Sequence, residues 1–371
     1  MKVAPVLKAL EATGHDRVFV HTGQHYDESM SDAFFSDLGL SEPDFHLKVG
    51  SASHATQTAR VMEAFEPVLV QTRPDWVVLV GDVNSTLACA LVAAKLRHEQ
   101  GCRIAHVEAG LRSNDWAMPE EVNRVLTDRL SDLLLTPSHD AAPNLLREGI
   151  DPAQIVFVGN VMIDSLLHLL PKARALDVPG RLGLVKGSYA VATLHRPSNV
   201  DEPEPLRVIL TALSDLARRM PVVLPLHPRT RDRVRRFNLE ASLDGVQLRD
   251  PMGYAEMLAL QSEAALVVTD SGGMQEESTV LGIPCVTLRE TTERPVTVTE
   301  GTNRMAPWPL TMEGIRSSVA AALSTGRVAV GARAPDGWDG RTGERIVQAL
   351  VGSTSEAMAA RADFSAIAPG G

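Results

Sequence analysis

The chain has 371 residues, of which 44% are hydrophobic and 22% charged, and its formal net charge is −10. That length gives two domains as the starting expectation, each with its own core, and the composition excludes a disordered chain. An acidic surface argues against a nucleic-acid backbone or an anionic membrane as main partner, though not against a local basic pocket for a phosphate.

The first element, residues 2–13, reads as an amphipathic helix through Val3, Val6, Leu7 and Leu10. A doubly wound domain normally opens on a central strand. Either this domain is atypical or its first strand is expected upstream of Met1. Strands follow at 18–21, 76–80, 104–107, 133–136 and 155–158, then at 189–194, 222–226, 246–248, 265–269 and 285–288. Amphipathic segments such as 86–98, 120–130, 206–219 and 273–281 separate them. Continuously apolar strands alternating with helices indicate parallel sheets covered on both faces. The fold class expected is therefore α/β, with two doubly wound, Rossmann-like domains and a cleft between them.

Residues 170–187, rich in Pro, Gly and basic side chains and poor in periodicity, read as a linker. The divisions expected are 1–165, 166–341 and a closing helix and tail at 342–371, with that helix packing back on the N-terminal domain. The three cysteines, Cys89, Cys102 and Cys285, lie in or beside apolar stretches, as buried thiols of a reduced, cytoplasmic protein would. No CxxC pair suggests zinc, and no apolar run approaches the roughly 20 residues of a membrane helix.

In open α/β sheets ligands bind beyond the carboxyl ends of the strands, so polar residues there are the candidates. WVVLV runs into Gly81-Asp82-Val83-Asn84-Ser85; helix capping alone would explain Asp82 or Ser85. RIAHV runs into Glu108-Ala109-Gly110-Leu111-Arg112. A carboxylate ending a buried strand needs a partner or a purpose, and Arg112 is one possible partner. Pro119-Glu120-Glu121 suits a helix start whether or not it has a further role. YAVATL ends in His195-Arg196-Pro197, and AALVVT in Asp270-Ser271-Gly272-Gly273. Glycines at a strand–helix turn admit a phosphate to the helix amides, although tight packing without a ligand would also use them. The loop at 289–295 is ionic. Carboxylates in the first half and phosphate candidates in the second suggest a nucleotide on one domain and proton transfer on the other.

These segments, together with GQHYDESMSDAFF, HVEAGLRSNDWAMPEEVNR, LHRPSN, SGGMQEES and RETTERP, resemble the non-hydrolysing UDP-N-acetylglucosamine 2-epimerases, which have the glycosyltransferase-B architecture. The resemblance covers residues 2–352. It implies epimerisation of UDP-N-acetylglucosamine to UDP-N-acetylmannosamine by anti elimination of UDP and re-addition through 2-acetamidoglucal, with neither metal nor cofactor, in a homodimer serving polysaccharide biosynthesis. It implies catalytic roles for Asp82, Glu108, Glu120 and His195. It places Lys2, Ser271, Gly272, Gly273, Glu277, Arg294 and Met257 against the UDP-sugar, with Glu277 on the ribose. Gln24 and Arg60 match a possible allosteric site, where Asp27 stands in place of the usual amide. Family members begin with a strand and a turn that would precede Met1. Alternatives are a 2-epimerase of a modified UDP-sugar, such as a diacetamido uronic acid, and a glycosyltransferase-B-type nucleotide-sugar-binding protein. Three carboxylates suited to proton transfer disfavour the last.

Overall fold

The computed structural model describes residues 1–23 and 39–365, with side chains to residue 353. Contacts divide the chain into two compact units: Met1–Ser165 with Gly340–Gly371, and Leu166–Asp339.

The first unit runs α1 (Ala4–Ala12), β1 (Val20–His21), β2 (Phe45–His46), α2 (His54–Thr72), β3 (Trp76–Val80), α3 (Asn84–Gln100), β4 (Arg103–Val107), α4 (Pro119–Leu130), β5 (Leu133–Thr136), α5 (Ala142–Arg147) and β6 (Ile155–Phe157). Helix α6 (Val161–Ala175) leads out of it. Its described strands form two parallel ladders, β1-β2 and β3-β4-β5-β6. The apolar strands are covered on both faces. One face of β3 and β4 sends Val77, Leu79 and Ile104 against Val61 and Leu69 of α2 and Ala88, Ala90 and Ala93 of α3. Small alanines let α3 approach the sheet closely. On the other face Ala105, Val107, Leu133 and Leu135 meet Val6 of α1 and Ile346 and Leu350 of the closing helix. Each fully buried Leu, Ile or Val among these contributes about 1.5–3 kcal/mol.

The second unit continues with α7 (Val178–Arg181), β7 (Ala190–Thr193), α8 (Pro197–Val200), α9 (Pro203–Ala217), β8 (Val222–Pro225), α10 (Pro228–Arg236), β9 (Gln247–Arg249), α11 (Tyr254–Ser262), β10 (Leu266–Thr269), α12 (Gly272–Leu281), β11 (Cys285–Thr287), α13 (Val296–Thr299), β12 (Asn303–Met305) and α14 (Met312–Thr325). Then comes the closing helix α15, Thr342–Ser365, in the first unit. The sheet is parallel throughout, in the order β12-β11-β10-β7-β8-β9. Order reverses between β7 and β10, whose carboxyl ends therefore flank a crevice where doubly wound sheets bind ligands.

Three details differ from the sequence reading. The strands Phe45–His46 and Asn303–Met305 are added, too short to leave a pattern. The stretch read as a linker is helical as far as Ala175, with Pro171 inside the helix, because Leu169, Leu170 and Ala173 are buried. Cys89, Cys102 and Cys285 are buried and form no disulfide. Among the described residues no helix is long and apolar enough to cross a membrane.

Candidate active site

Strand β4 delivers Glu108 to a turn that few residues tolerate. Its φ is +70°, left-handed for a non-glycine, and Gly110 follows at +81°. A side chain in that region costs about 1–2 kcal/mol, and such strain concentrates at functional sites. Glu108 is only 4% exposed, with Oε2 taking a 2.6 Å hydrogen bond from Lys2 Nζ. Its other oxygen, Oε1, is buried and accepts no hydrogen bond among the described residues. Arg112, the partner considered from sequence, is turned elsewhere: it pairs with Asp128 at 2.7 Å and Glu148 at 2.7 Å.

Asp82 follows β3 after Gly81, whose φ is +78°. A Cβ on Gly81 would lie 3.2 Å from Lys2 Nζ and 4.0 Å from Glu108 Oε2, so the β3 turn and Glu108 are adjacent. Asp82 forms an ion pair with Arg124 Nη1, and its carbonyl accepts from Asn123 Nδ2 at 2.9 Å. Arg124 also binds Glu121 through Nη2 at 2.6 Å. The two neighbouring acids of α4 thus separate. Glu121 is buried and accepts the amides of Ser113 at 3.1 Å and Asn114 at 2.7 Å. Burial opposes its charge, but those amides and Arg124 outweigh burial and hold its pKa below the usual range. Glu120, half-buried in the first turn of α4, carries none of these bonds and remains available. Lys2 thus joins the β3 turn to Glu108, and Arg124 joins Asp82 to Glu121 of the helix whose first turn also bears Glu120.

In the second unit the crevice between β7 and β10 holds His195 and Asp270 side by side. Asp270 is fully buried and accepts the backbone amides of His195 at 3.0 Å and Arg196 at 2.9 Å, and Asn199 Nδ2 at 3.1 Å. Its Oδ1 meets His195 Nδ1 at 2.8 Å, leaving Nε2 of a side chain that is 41% exposed. Burial pushes the Asp270 pKa up, and the His195 bond with the two amides brings it below the usual range. Next, Ser271 caps α12 without a side-chain capping bond, so the first-turn amides and the positive helix end are not used by that hydroxyl. A Cβ on Gly273 would meet nothing within 4 Å. A Cβ on Gly272 would come 2.9 Å from Glu293 Oε1 and 3.4 Å from Arg294 Nη1. Protein packing, then, already demands that glycine.

Arg294 is 6% exposed and lies between two carboxylates, Glu276 at 2.7 Å and Glu293 at 2.9 Å; Arg289 pairs with Glu293 at 2.7 Å. Burial opposes the Glu293 charge, and Arg294 and Arg289 hold its pKa far below the usual range. Two Arg and two Glu thus make a buried quartet behind Gly272. One turn into α12, Glu277 accepts from Tyr254 Oη at 3.0 Å. Burial, helped by neighbouring Glu276 and opposed by the Tyr254 bond, pushes the Glu277 pKa up to about 8. Met257 follows Tyr254 by one helical turn and is half-buried. Arg60 is exposed on α2, in a groove with Lys48 and Glu63. Gln24 and Asp27 lie outside the described residues.

The Glu277 shift makes a prediction. A carboxyl at about 8 in the fold and near 4.5 in the unfolded chain favours the fold fully below 4.5 and loses that advantage as pH rises through 8. Glu277→Gln removes the dependence. The Tm difference, variant minus parent, is expected to grow between pH 5 and pH 8.5, by the equivalent of a few kcal/mol on the order of one pKa unit per 1.4 kcal/mol. A difference that stays constant across that range would contradict it.

Residues 8–351 match the sequence model of a family described as UDP-N-acetylglucosamine 2-epimerase. The chain belongs to that family. The UDP-N-acetylglucosamine 2-epimerase of Methanocaldococcus jannaschii is 42% identical over 311 residues, 82% of this chain and 84% of that protein. The UDP-2,3-diacetamido-2,3-dideoxy-D-glucuronate 2-epimerase of Pseudomonas aeruginosa is 43% identical over 326 residues, 86% of this chain and 89% of that protein. The M. jannaschii crystal structure, in complex with UDP-GlcNAc and UDP, aligns with a TM-score of 0.84 at 41% identity, covering 94% of this chain and 96% of that one. The α/β architecture of parallel-sheet domains is the glycosyltransferase-B type expected of a 2-epimerase.

For this 2-epimerase family member the motifs named most of the polar turn residues and missed their supports. Asp270 adjoins Ser271 at a strand end and was legible there. Glu121 was visible beside Glu120, but only its contacts show that it holds the 113–114 backbone. Tyr254 and Asp128 left no signal, and His106 stood at the head of a quoted motif without a role, because each acts on a residue distant in sequence.

Proposed function

We propose that this chain interconverts UDP-N-acetylglucosamine and UDP-N-acetylmannosamine. Asp82, Glu108 and Glu120 supply the proton chemistry at C2, and His195, Ser271, Gly272, Gly273 and Arg294 serve the diphosphate, with Glu277 and Met257 on the nucleoside side. In the forward sense a carboxylate takes the C2 proton, the C2–H electron pair forms the C1=C2 bond, and the C1–O bond breaks with its pair going to UDP. The intermediate is 2-acetamidoglucal. A UDP oxygen then adds back to C1 as a second carboxyl group delivers a proton to the opposite face of C2. No net oxidation occurs. Because the C2 proton is weakly acidic, stabilising the departing UDP lowers the same barrier as the base does. The first-turn amides of α12 suit that task, and His195 Nε2 joins them when it carries a proton, since Nδ1 faces Asp270.

The observation that carries this reading is Glu108: a buried carboxylate held in a left-handed turn, with one oxygen bound by Lys2 and the other without a hydrogen bond among the described residues. A second reading, the same chemistry on a UDP-linked 2,3-diacetamido uronic acid, is favoured by the P. aeruginosa relative, whose identity of 43% equals that of the M. jannaschii enzyme within a point. The test is incubation of each UDP-sugar in deuterated water, with NMR and mass analysis. Deuterium at C2 with a manno product from UDP-N-acetylglucosamine is expected. Exchange only with the diacetamido uronate selects the second reading, and no exchange with either rejects both.

A further inference from the structure

Behind the carboxylates lies a buried charge pair that the chemistry above does not use. His106, the residue before the end of β4, is wholly buried, with Nδ1 2.6 Å from Asp128 Oδ1 and Nε2 2.9 Å from the Gly81 carbonyl oxygen. A carbonyl oxygen can only accept, so Nε2 carries a proton. Asp128 Oδ2 meanwhile accepts the Gly110 amide at 3.0 Å and Arg112 Nη1 at 2.7 Å, and a guanidinium buried against the carboxyl favours its ionised form. Nδ1 therefore carries a proton too, and the ring is an imidazolium.

The charged groups around it are consistent. Glu108 stands two residues along the same strand end, Asp128 faces the ring from α4, and Arg112 joins Asp128 to Glu148 through Nε at 2.8 Å and Nη2 at 2.7 Å. Two of the backbone groups so held belong to left-handed glycines, Gly81 at φ +78° and Gly110 at φ +81°. Gly81 immediately precedes Asp82, and Gly110 comes two residues after Glu108. Asp128 rides on α4, whose first turn bears Glu120.

We propose that His106 is a positioning residue: as a fixed imidazolium paired with Asp128, it locks the Asp82 turn, the Glu108 turn and the Glu120 helix into one frame and sets a positive charge behind their carboxylates. Its catalytic consequence rests on the 2-epimerase reading; its charge state does not. The sequence offered it only as the first residue of the HVEAGLR segment, with no role attached.

Two measurements on the full chain test this. First, ¹⁵N NMR of the histidine rings at pH 8, with His106 assigned in the parent chain by through-bond correlation of its ring to its own backbone, is expected to show both ring nitrogens protonated, well above the free-histidine pKa of about 6.5. A neutral His106 ring overturns the proposal even if every variant fails to fold. Second, His106→Gln and Asp128→Asn are expected to lower kcat by roughly 10²-fold, the scale of a small misplacement of reacting groups, with KM and UDP affinity changed less than about threefold. A folded variant that keeps kcat within threefold overturns the positioning role alone. Absence of C2 exchange in the parent chain refutes the 2-epimerase reading, and the catalytic role with it, while the ring measurement still reports the charge.

Discussion

Glu108→Gln is expected to abolish C2 deuterium exchange while UDP still binds. The amide keeps the shape of the side chain, and its oxygen can still accept from Lys2 Nζ, which now lies 2.6 Å from Oε2. What it loses is the ability to take a proton. General-base catalysis by a positioned group is worth about 10²–10⁴-fold, so the exchange rate should fall by at least that much, with UDP affinity within roughly threefold of the parent. The competing account makes Glu108 merely the counter-ion of Lys2. It predicts a less stable protein with near-normal exchange per folded molecule, and that outcome would remove Glu108 from the mechanism.

Asp270→Asn is expected to be the most damaging single change in the second unit. The carboxylate accepts two backbone amides, the Asn199 amide and His195 Nδ1, and is fully buried. An asparagine turns one acceptor oxygen into a donor, so at least one of these donors faces an N–H group in a dry site. Breaking a buried pair in this way costs about 3–5 kcal/mol. The sign with pH follows from its depressed pKa: the contribution is present above the unfolded carboxyl value of 3.8 and is lost as pH falls through the lower folded value. Urea unfolding should therefore show a large loss at pH 7 that shrinks towards pH 3. His195 would also lose the bond that fixes its ring, so turnover should drop in the molecules that remain folded. A midpoint unchanged at pH 7 would contradict this account.

Parallel strands buried on both faces leave continuous apolar runs, which is why WVVLV, RIAHV and LLLT could be read so directly. The acids at their ends stood out for the same reason, although a helix cap would explain Asp82 and an ion pair Glu108. What could not be read were contacts set by the fold. Arg112 is four residues from Glu108 and looked like its partner, yet the partner is Lys2, 106 positions away. Gly272 was legible as a glycine needing room, but the group that crowds it is Glu293, from the loop beyond β11. Residues 170–175 have a linker's composition and are helical because Leu170 and Ala173 find a core. Local pattern names the element and the candidate. Only tertiary packing tells which of Glu120 and Glu121 is spent on holding backbone.

The first unit is built from two stretches of chain, with the whole second unit between them. Gly343 donates its amide to Asp164 across 179 positions, and Ile346 and Leu350 complete the core that Val6, Ala105 and Val107 begin. On the ribosome the order of manufacture is therefore not the order of completion. Leu166–Asp339 is contiguous and has everything it needs once it has emerged. The N-terminal unit is made first and finished last, holding part of one apolar face of its sheet bare until the closing helix joins α1 over it. The entropy of closing so long a loop grows only as its logarithm and is a modest cost. The exposure lasts for the time it takes to synthesise the inserted unit, and during that interval the nascent chain is a client for whatever shields apolar surface in the cell.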